Sequence, residues 1–419
     1  PITAATAYTY VAPAGAPTIS STVPSTLPTT GGLLTVAGAN LSTVTKVTLD
    51  GTATPFTKET STSLRLTIPA GVPGSVTAVA VTSPTGTATL LLPRSLEPSP
   101  ALRAPVLGLS DRVNIPTDPL VTGATIDIPW NLAETSADPT VPLDLTTVKT
   151  EIDTAATLGV SIRLRILAGL YTPSWVLSRA GTLRWAETHT GKLLYYTIPR
   201  WWTPAYNAAY TAFQTRLAAE LGAYPNVQEV AVTQCMTIYG EPFMRQSGLR
   251  NGTTIKATDY TYTSDLSCLY SSITSTAAIW PNQRVSLAVN PFQGFRPPST
   301  DRKLLDTFAI MRFCRGTLGD RCVLGNNSLR GTTTATMTCP GGAVVPASGQ
   351  EGGYNETYCE LRRLGAPLYF QTARPSAIGS WQATLDRAVT YGASNVELNT
   401  DYPLYDPSAL ATYVRELFG

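Results

Sequence analysis

Apolar periodicity changes once along the 419 residues, and the change falls at PRSLEPSPALRAP, residues 93–105. Four prolines in that stretch fix backbone dihedrals and remove hydrogen-bond donors, so it reads as a stiff linker. Upstream, short alternating runs such as GLLTVAGANL, SLRLTIPAG and VTAVAVTSPTG are separated by Gly, Pro, Ser and Thr clusters. Runs at that spacing predict an antiparallel sandwich. Downstream, β-type runs (ATIDIPW, VSIRLRILAG, VQEVAVTQCM, RVSLAVNP, RCVLGNNS, PLYFQTA, NVELNTD) alternate with amphipathic helical stretches such as LTTVKTEIDTAATLG and AYNAAYTAFQTRLAAELG. Alternation of this kind predicts a parallel sheet. With PVLGLSDR as the opening strand the count reaches eight, which fits a closed (β/α)8 barrel. A doubly wound sheet is the competing architecture, but no Gly-rich phosphate loop follows any of these strands. The expected organisation is a β-domain tail or linker over 1–15, a sandwich over 16–93, a linker over 94–105 and a barrel over 106–419.

Only 14% of residues are charged and the net charge is +2. No basic stripe is present, so nucleic acid is not an expected partner, and no apolar run is long enough to span a membrane. No signal peptide is visible at Pro1, and the chain reads as a mature form or a piece of something longer. Six cysteines and a single histidine, His189 in a polar loop, argue against a Cys/His zinc site. An even cysteine count in a chain of low charge predicts disulfides and an oxidising compartment. The expected pairing is sequential: Cys235 with Cys268, Cys314 with Cys322, Cys339 with Cys359. No cofactor is expected.

PTISSTVPSTLPTTGGLLTVAGANLSTVTKVTLDG, followed by VTSPTGTATLLL, resembles an immunoglobulin-like IPT/TIG domain. The earlier ATAYTYVAPAGAPTI resembles the closing strand of a preceding copy. The resemblance implies a spacer or adhesion module in a tandem array, with neighbouring immunoglobulin-like domains or subunits of a surface or virion assembly as partners.

In a barrel the active site lies at the C-terminal ends of the strands. The side chains expected there are carboxylates, amides and aromatics, which hydrogen-bond sugar hydroxyls and stack on sugar rings. The substrate-binding set is Trp130, Glu134, Arg165, Tyr171, Trp175, Gln234, Tyr239, Asn290, Gln371, Asn399 and Asp401. Two segments, LRILAGLYTPSWV and WWTPAYNAAYTAFQTRLAAELGAYPNVQEVAVTQCMTIYGE, resemble clan A glycoside hydrolases, nearest to β-galactosidase-like barrels. The resemblance implies that Glu241, in YGEP after the fourth strand, is the general acid/base, and that Trp130 and Glu134 form the early Trp-x-x-x-Glu strand end. It also implies a nucleophilic Glu on strand seven, where this chain has Gln371, a neutral amide. The nearest acid is Glu397 on strand eight. Glycosidic cleavage needs two carboxylates, about 5–5.5 Å apart for retention or 6.5–9.5 Å for inversion. Glu241 and Glu397 are therefore the expected catalytic pair.

Each candidate also has a plain structural role open to it. Glu241 has Arg245 nearby in sequence, Glu397 has barrel arginines such as Arg165, and the aromatics between 130 and 206 can pack a long loop onto the barrel. The expected function is a secreted or surface-displayed glycoside hydrolase acting on a polysaccharide or cell-wall glycan. The alternative is a non-catalytic glycan-binding or structural barrel of a cell-surface or phage-tail adhesion assembly. A lyase or esterase is disfavoured by the lone histidine and the lack of Gly-x-Ser-x-Gly.

Overall fold

The computed structural model describes residues 15–24, 26–71, 75–95, 101–189, 192–242, 249–291, 304–350, 353–400, 402 and 407–418. The chain divides into two compact units, residues 1–97 and 98–419.

The first unit is an antiparallel sandwich. One sheet runs Thr18–Val23, Gly32–Ala39, Ser63–Ile68, Phe56–Thr60; the other runs Thr52–Ala53, Lys46–Leu49, Val76–Ser83, Gly86–Pro93. Alternate residues of the central strands point inward, so Leu34, Val36, Leu64, Leu66, Val79 and Val81 fill the space between the sheets. Asn40 takes the left-handed conformation (φ 58°), which Asn tolerates better than most residues. Its amide donates to Ala16 O at 2.8 Å, pinning the first strand.

The second unit is a closed barrel of eight parallel strands. In order they are Gly108–Asp111, Val121–Pro129, Ser161–Leu167, Val227–Ala231, Arg284–Ala288, Cys322–Leu329, Leu368–Thr372 and Asn395–Leu398, called strands one to eight below. Strand eight pairs with strand one and closes the ring. The strands are apolar because both faces are covered. Strand eight, for example, is buried at all four positions.

Helices Thr146–Thr157, Pro204–Leu221, Tyr262–Ile279, Leu304–Leu318, Tyr354–Leu364 and Trp381–Tyr391 make the successive crossovers from strand two to strand eight, and Pro407–Phe418 follows strand eight. Strands one and two are joined by Arg112–Leu120 without a helix. An antiparallel hairpin, Thr182–His189 with Lys192–Pro199, interrupts the crossover from strand three to strand four.

Among the described residues three of the crossover helices start at built caps, one of them Trp381–Tyr391, where the Ser380 hydroxyl accepts from Ala383 N. The Thr203 hydroxyl accepts from Tyr206 N ahead of Pro204, and Thr261 with Ser264 forms a capping box for Tyr262–Ile279.

The three disulfides are Cys235–Cys268, Cys314–Cys322 and Cys339–Cys359, the sequential pairing. Cys235 lies just past strand four, in the segment that carries Glu241, and Cys268 lies on helix Tyr262–Ile279. The bond therefore anchors the strand-four loop to the barrel wall. Replacing both cysteines with Ala is expected to lower stability by about 2–4 kcal/mol, the loop-closure entropy of its 33-residue span. Urea unfolding under non-reducing conditions measures this; an unchanged midpoint would remove the disulfide from this anchoring role.

Candidate ligand-binding site

A cavity of about 700 Å³ opens at the C-terminal mouth of the barrel, a size typical of small-molecule sites. Its walls come from the ends of most strands. Arg112 follows strand one, Asp127 lies on strand two and Arg165 on strand three. Glu241 follows strand four, Asn290 follows strand five, and Asn327 and Gln371 lie on strands six and seven. A second cavity of about 320 Å³ shares Arg112, Asp127 and Arg165 with the first and continues to Asn114 and Glu151.

Beneath the mouth the barrel interior is ionic. Glu397 is fully buried and meets three guanidinium groups: Arg165 at 3.2 Å, Arg112 at 3.4 Å and Arg163 at 3.5 Å. The Thr125 hydroxyl donates to it at 2.9 Å. Burial alone would raise the Glu397 pKa. Arg165, Arg112 and Arg163, with the Thr125 hydroxyl, outweigh burial and hold it below the ordinary glutamate value. Arg163 also pairs with buried Glu229 at 2.8 Å and lies 4.0 Å over the Tyr369 ring. Arg165 grips Asp127 with two contacts, 2.6 and 3.1 Å. Burial works against the charged form of Arg165, but Asp127 and Glu397 more than offset it and raise its pKa.

Glu241 has different surroundings. It is half-buried on the cavity wall and accepts a hydrogen bond from Asn290 Nδ2 at 3.3 Å. Asn290 Oδ1 in turn accepts from Asn326 Nδ2 at 2.9 Å, and Asn326 Oδ1 accepts from the Tyr358 hydroxyl at 2.8 Å. That chain fixes which face of the Asn290 amide points at Glu241.

The glycines around Glu241 have steric causes. A Cβ on Gly240 would lie 2.9 Å from Arg165 Cδ. Gly169, at the end of strand three, has φ +50° and packs on the Thr237 carbonyl, where a Cβ would lie at 2.1 Å. The strand-three and strand-four loops thus approach each other too closely for a larger residue.

Gln371 takes the amide orientation in which its oxygen accepts from Arg112 Nε at 2.7 Å and its nitrogen donates to Asn327 Oδ1 at 3.2 Å. The strand-seven position therefore carries a neutral amide held at both ends.

Six of the sequence candidates line the cavity: Arg165, Tyr171, Tyr239, Glu241, Asn290 and Gln371. Six others do not, each for a visible reason. Glu397 lies below the cavity floor, enclosed by its arginines. Trp130 is fully buried, stacked on Phe213 at 5.3 Å, and donates to Glu134 at 2.8 Å. Glu134 pairs with Arg216 at 2.5 Å. The Trp-x-x-x-Glu pair therefore fastens the strand-two exit to helix Pro204–Leu221. Trp175 sits under the Arg179 guanidinium, 5.1 Å away. Gln234 is buried and donates to Asn207, and Asn399 is buried and donates to Ala373 O. Asp401 and Arg245 lie outside the described residues. Trp185, Trp201 and Trp202 pack edge-to-face among themselves in the core under the hairpin, so the tryptophan-rich stretch is packing, and the aromatic rings of the cavity are tyrosines.

Sequence reasoning missed Arg112, Arg330, Tyr354 and the hairpin's Thr188. Arg112 was within reach, since it ends PVLGLSDR, the opening strand. Asp127, Asn327 and Arg374 also line the cavity. Among the described residues no group of three or more His, Cys, Asp or Glu is arranged to hold a metal ion.

Residues 17–92 match the IPT/TIG domain model. The chain thus joins an IPT/TIG sandwich to a (β/α)8-type barrel with a polar, arginine-rich mouth. No curated protein matches it. Among solved structures it is similar to a family 39 glycoside hydrolase from Bacteroides cellulosilyticus, at 12% identity over 91% of this chain and 75% of that one, with a TM-score of 0.39. It is also similar to a cold-adapted β-galactosidase from a Rahnella species, at 10% identity over 77% of this chain and 57% of that one, with a TM-score of 0.44. SGBP-B, from a xyloglucan utilisation locus in Bacteroides uniformis, shares 28% identity over 18% of this chain and 22% of its own length, with a TM-score of 0.16. The chain spans between a fifth and three quarters of the length of these proteins.

Glu397→Gln would leave buried Arg163 and half-buried Arg112 and Arg165 short of a counter-charge and is expected to cost about 3–5 kcal/mol. Glu241→Gln, on the open wall, is expected to cost about 0.5 kcal/mol or less. Because the folded pKa of Glu397 is depressed below 4.5, its stabilisation is complete above pH 4.5 and is lost as pH falls through the folded value. Denaturation midpoints of wild type and Glu397→Gln from pH 7 down to pH 3 measure both effects. The gap between the two proteins should narrow in acid; a gap that widened would contradict the assignment.

Proposed function

We propose that the barrel is a glycan-binding module that does not hydrolyse its ligand by a two-carboxylate mechanism, displayed in an extracellular or surface setting. The observation that carries this reading is the fate of the second carboxylate. Glu397 is bound by three arginines below the cavity, and strand seven presents Gln371, held by Arg112 and Asn327. A nucleophile or base needs free lone pairs and access to the sugar, and Glu397 has neither. What remains at the mouth suits recognition: amides at Asn290, Asn327 and Gln371 and tyrosines at 171, 239 and 354. The cavity of about 700 Å³ has room for more than one sugar. Three disulfides fit an oxidising compartment, and among the described residues no helix is long and apolar enough to cross a membrane.

A hydrolase is the second reading, favoured by one observation. Asp127, with its side chain 41% exposed, lines the same cavity as Glu241. In that reading Glu241 protonates the leaving oxygen and Asp127 is the partner carboxylate, at the expense of its pairing with Arg165.

The two readings separate in one experiment. Wild type, Glu241→Gln and Asp127→Asn are titrated with a panel of oligosaccharides by calorimetry, and the same mixtures are analysed for new reducing ends by mass spectrometry. The binding reading predicts saturable binding with intact oligosaccharide in all three proteins. New reducing ends from wild type, abolished in both variants, would establish the hydrolase instead.

A further inference from the structure

Charge is unevenly spread over the cavity. Among the described residues its lining carries four arginines (112, 165, 330 and 374) against two carboxylates, Asp127 and Glu241. Arg165 is committed to Asp127 and Glu397, and Arg112 to Glu397 and the Gln371 amide. Arg330 and Arg374 have no such partner: among the described residues no carboxylate lies within ion-pair distance of either. Arg330 Nε is buried with no hydrogen-bond partner, as are Nε of Arg200, Arg315 and Arg387, so what calls for a ligand is the unpaired charge of Arg330 at the cavity wall. Arg330 directly follows strand six, and Arg374 lies two residues past strand seven. These strands are neighbours in the ring, so both cations belong to one side of the mouth. Asp127, on strand two, lies away from that side; Glu241, in the loop after strand four, reaches Asn290.

We propose that the ligand of this cavity is an acidic glycan, one whose sugars bear carboxylates as uronic acids do. The proposal rests on the glycan-binding reading and names its substrate class. Arg330 and Arg374 receive the carboxylate, for which the planar guanidinium fork is suited. Glu241 and Asn290, after strands four and five, take sugar hydroxyls, and the arginine pair after strands six and seven sets the direction in which the chain lies. Electrostatic recognition of this kind weakens as salt is added.

The test uses matched pairs: oligogalacturonate, hyaluronan and alginate oligosaccharides, each beside its carboxyl-methylated twin. Binding to the whole chain is measured by calorimetry at low and at physiological salt. At least one acid should bind about tenfold or more tighter than its neutral twin, and the margin should shrink with salt. Arg330→Gln/Arg374→Gln should erase the margin. Arg374→Glu, at an exposed position and therefore safe for folding, should reduce it on its own. Twins that bind as tightly as the acids would overturn the acidic-ligand proposal and leave the glycan-binding reading standing. A margin untouched by both variants would overturn the assignment to these arginines. Failure of every oligosaccharide, acidic and neutral, to bind would overturn both the proposal and the reading beneath it.

Discussion

The barrel is organised around charge buried at its centre. Arg163, Arg165 and Arg112 face Glu229, Glu397 and Asp127 in a connected set of contacts between 2.6 and 3.5 Å. Removing such groups from water is expensive, and their mutual attraction compensates only where geometry and the remaining hydrogen bonds are good. Here the supplementary bonds are present. Thr125 donates to Glu397, Val106 N donates to Glu229 at 2.7 Å, and Asn395 accepts from Arg163 at 3.2 Å. Strands one, two, three, four and eight each contribute a member of this network or the residue next to it. It therefore determines which chemistry the mouth can hold as well as the register of the barrel.

Several features of the mouth follow from it. Arg165 needs room, so residue 240 is glycine. Arg112 spans Glu397 below and Gln371 above, so strand seven ends in a fixed amide. The strand-eight carboxylate, Glu397, is spent as a counter-ion, and Glu241 is left with an amide relay running back through Asn290 and Asn326 to Tyr358. On the proposed reading that carboxylate, on an open wall and backed by amides, holds a sugar and does not break one.

The eight strands were legible because a strand buried on both faces must be an apolar run, and such runs survive any choice of tertiary neighbour. The sandwich was legible through its alternating strands, and the presence of disulfides through the even number of cysteines in a chain of low charge, though six cysteines alone leave fifteen pairings open. Helix Tyr262–Ile279 was not legible, since Ser and Thr, which favour caps and turns, crowd its sequence. Its buried face of Cys268, Leu269, Ile273 and Ala277 has meaning only against the barrel. The hairpin over 182–199 was legible only as a long loop whose aromatics could pack on the barrel; Trp185 is indeed core, and Tyr195 sits 3.8 Å from the Arg184 guanidinium. The site was half legible. Residues that end strands were found by counting strands. For Glu397 the sequence offered two roles, catalysis or pairing with a barrel arginine such as Arg165, and did not decide between them because Arg112, Arg163 and Arg165 lie more than two hundred positions away in the chain. Sequence alone shows that a glutamate is on strand eight; only the closed ring shows that arginines from strands one and three already occupy it.

The most direct test is the titration of the Glu397 carboxyl itself, followed by the 13C resonance of its side-chain carboxyl carbon in protein labelled at glutamate and assigned through Glu397→Gln. The account predicts a group that stays ionised through neutral pH and titrates below 4.5. A carboxyl that titrates above that value would mean the arginines do not hold it. Glu397 would then return as a candidate acid or base facing Glu241.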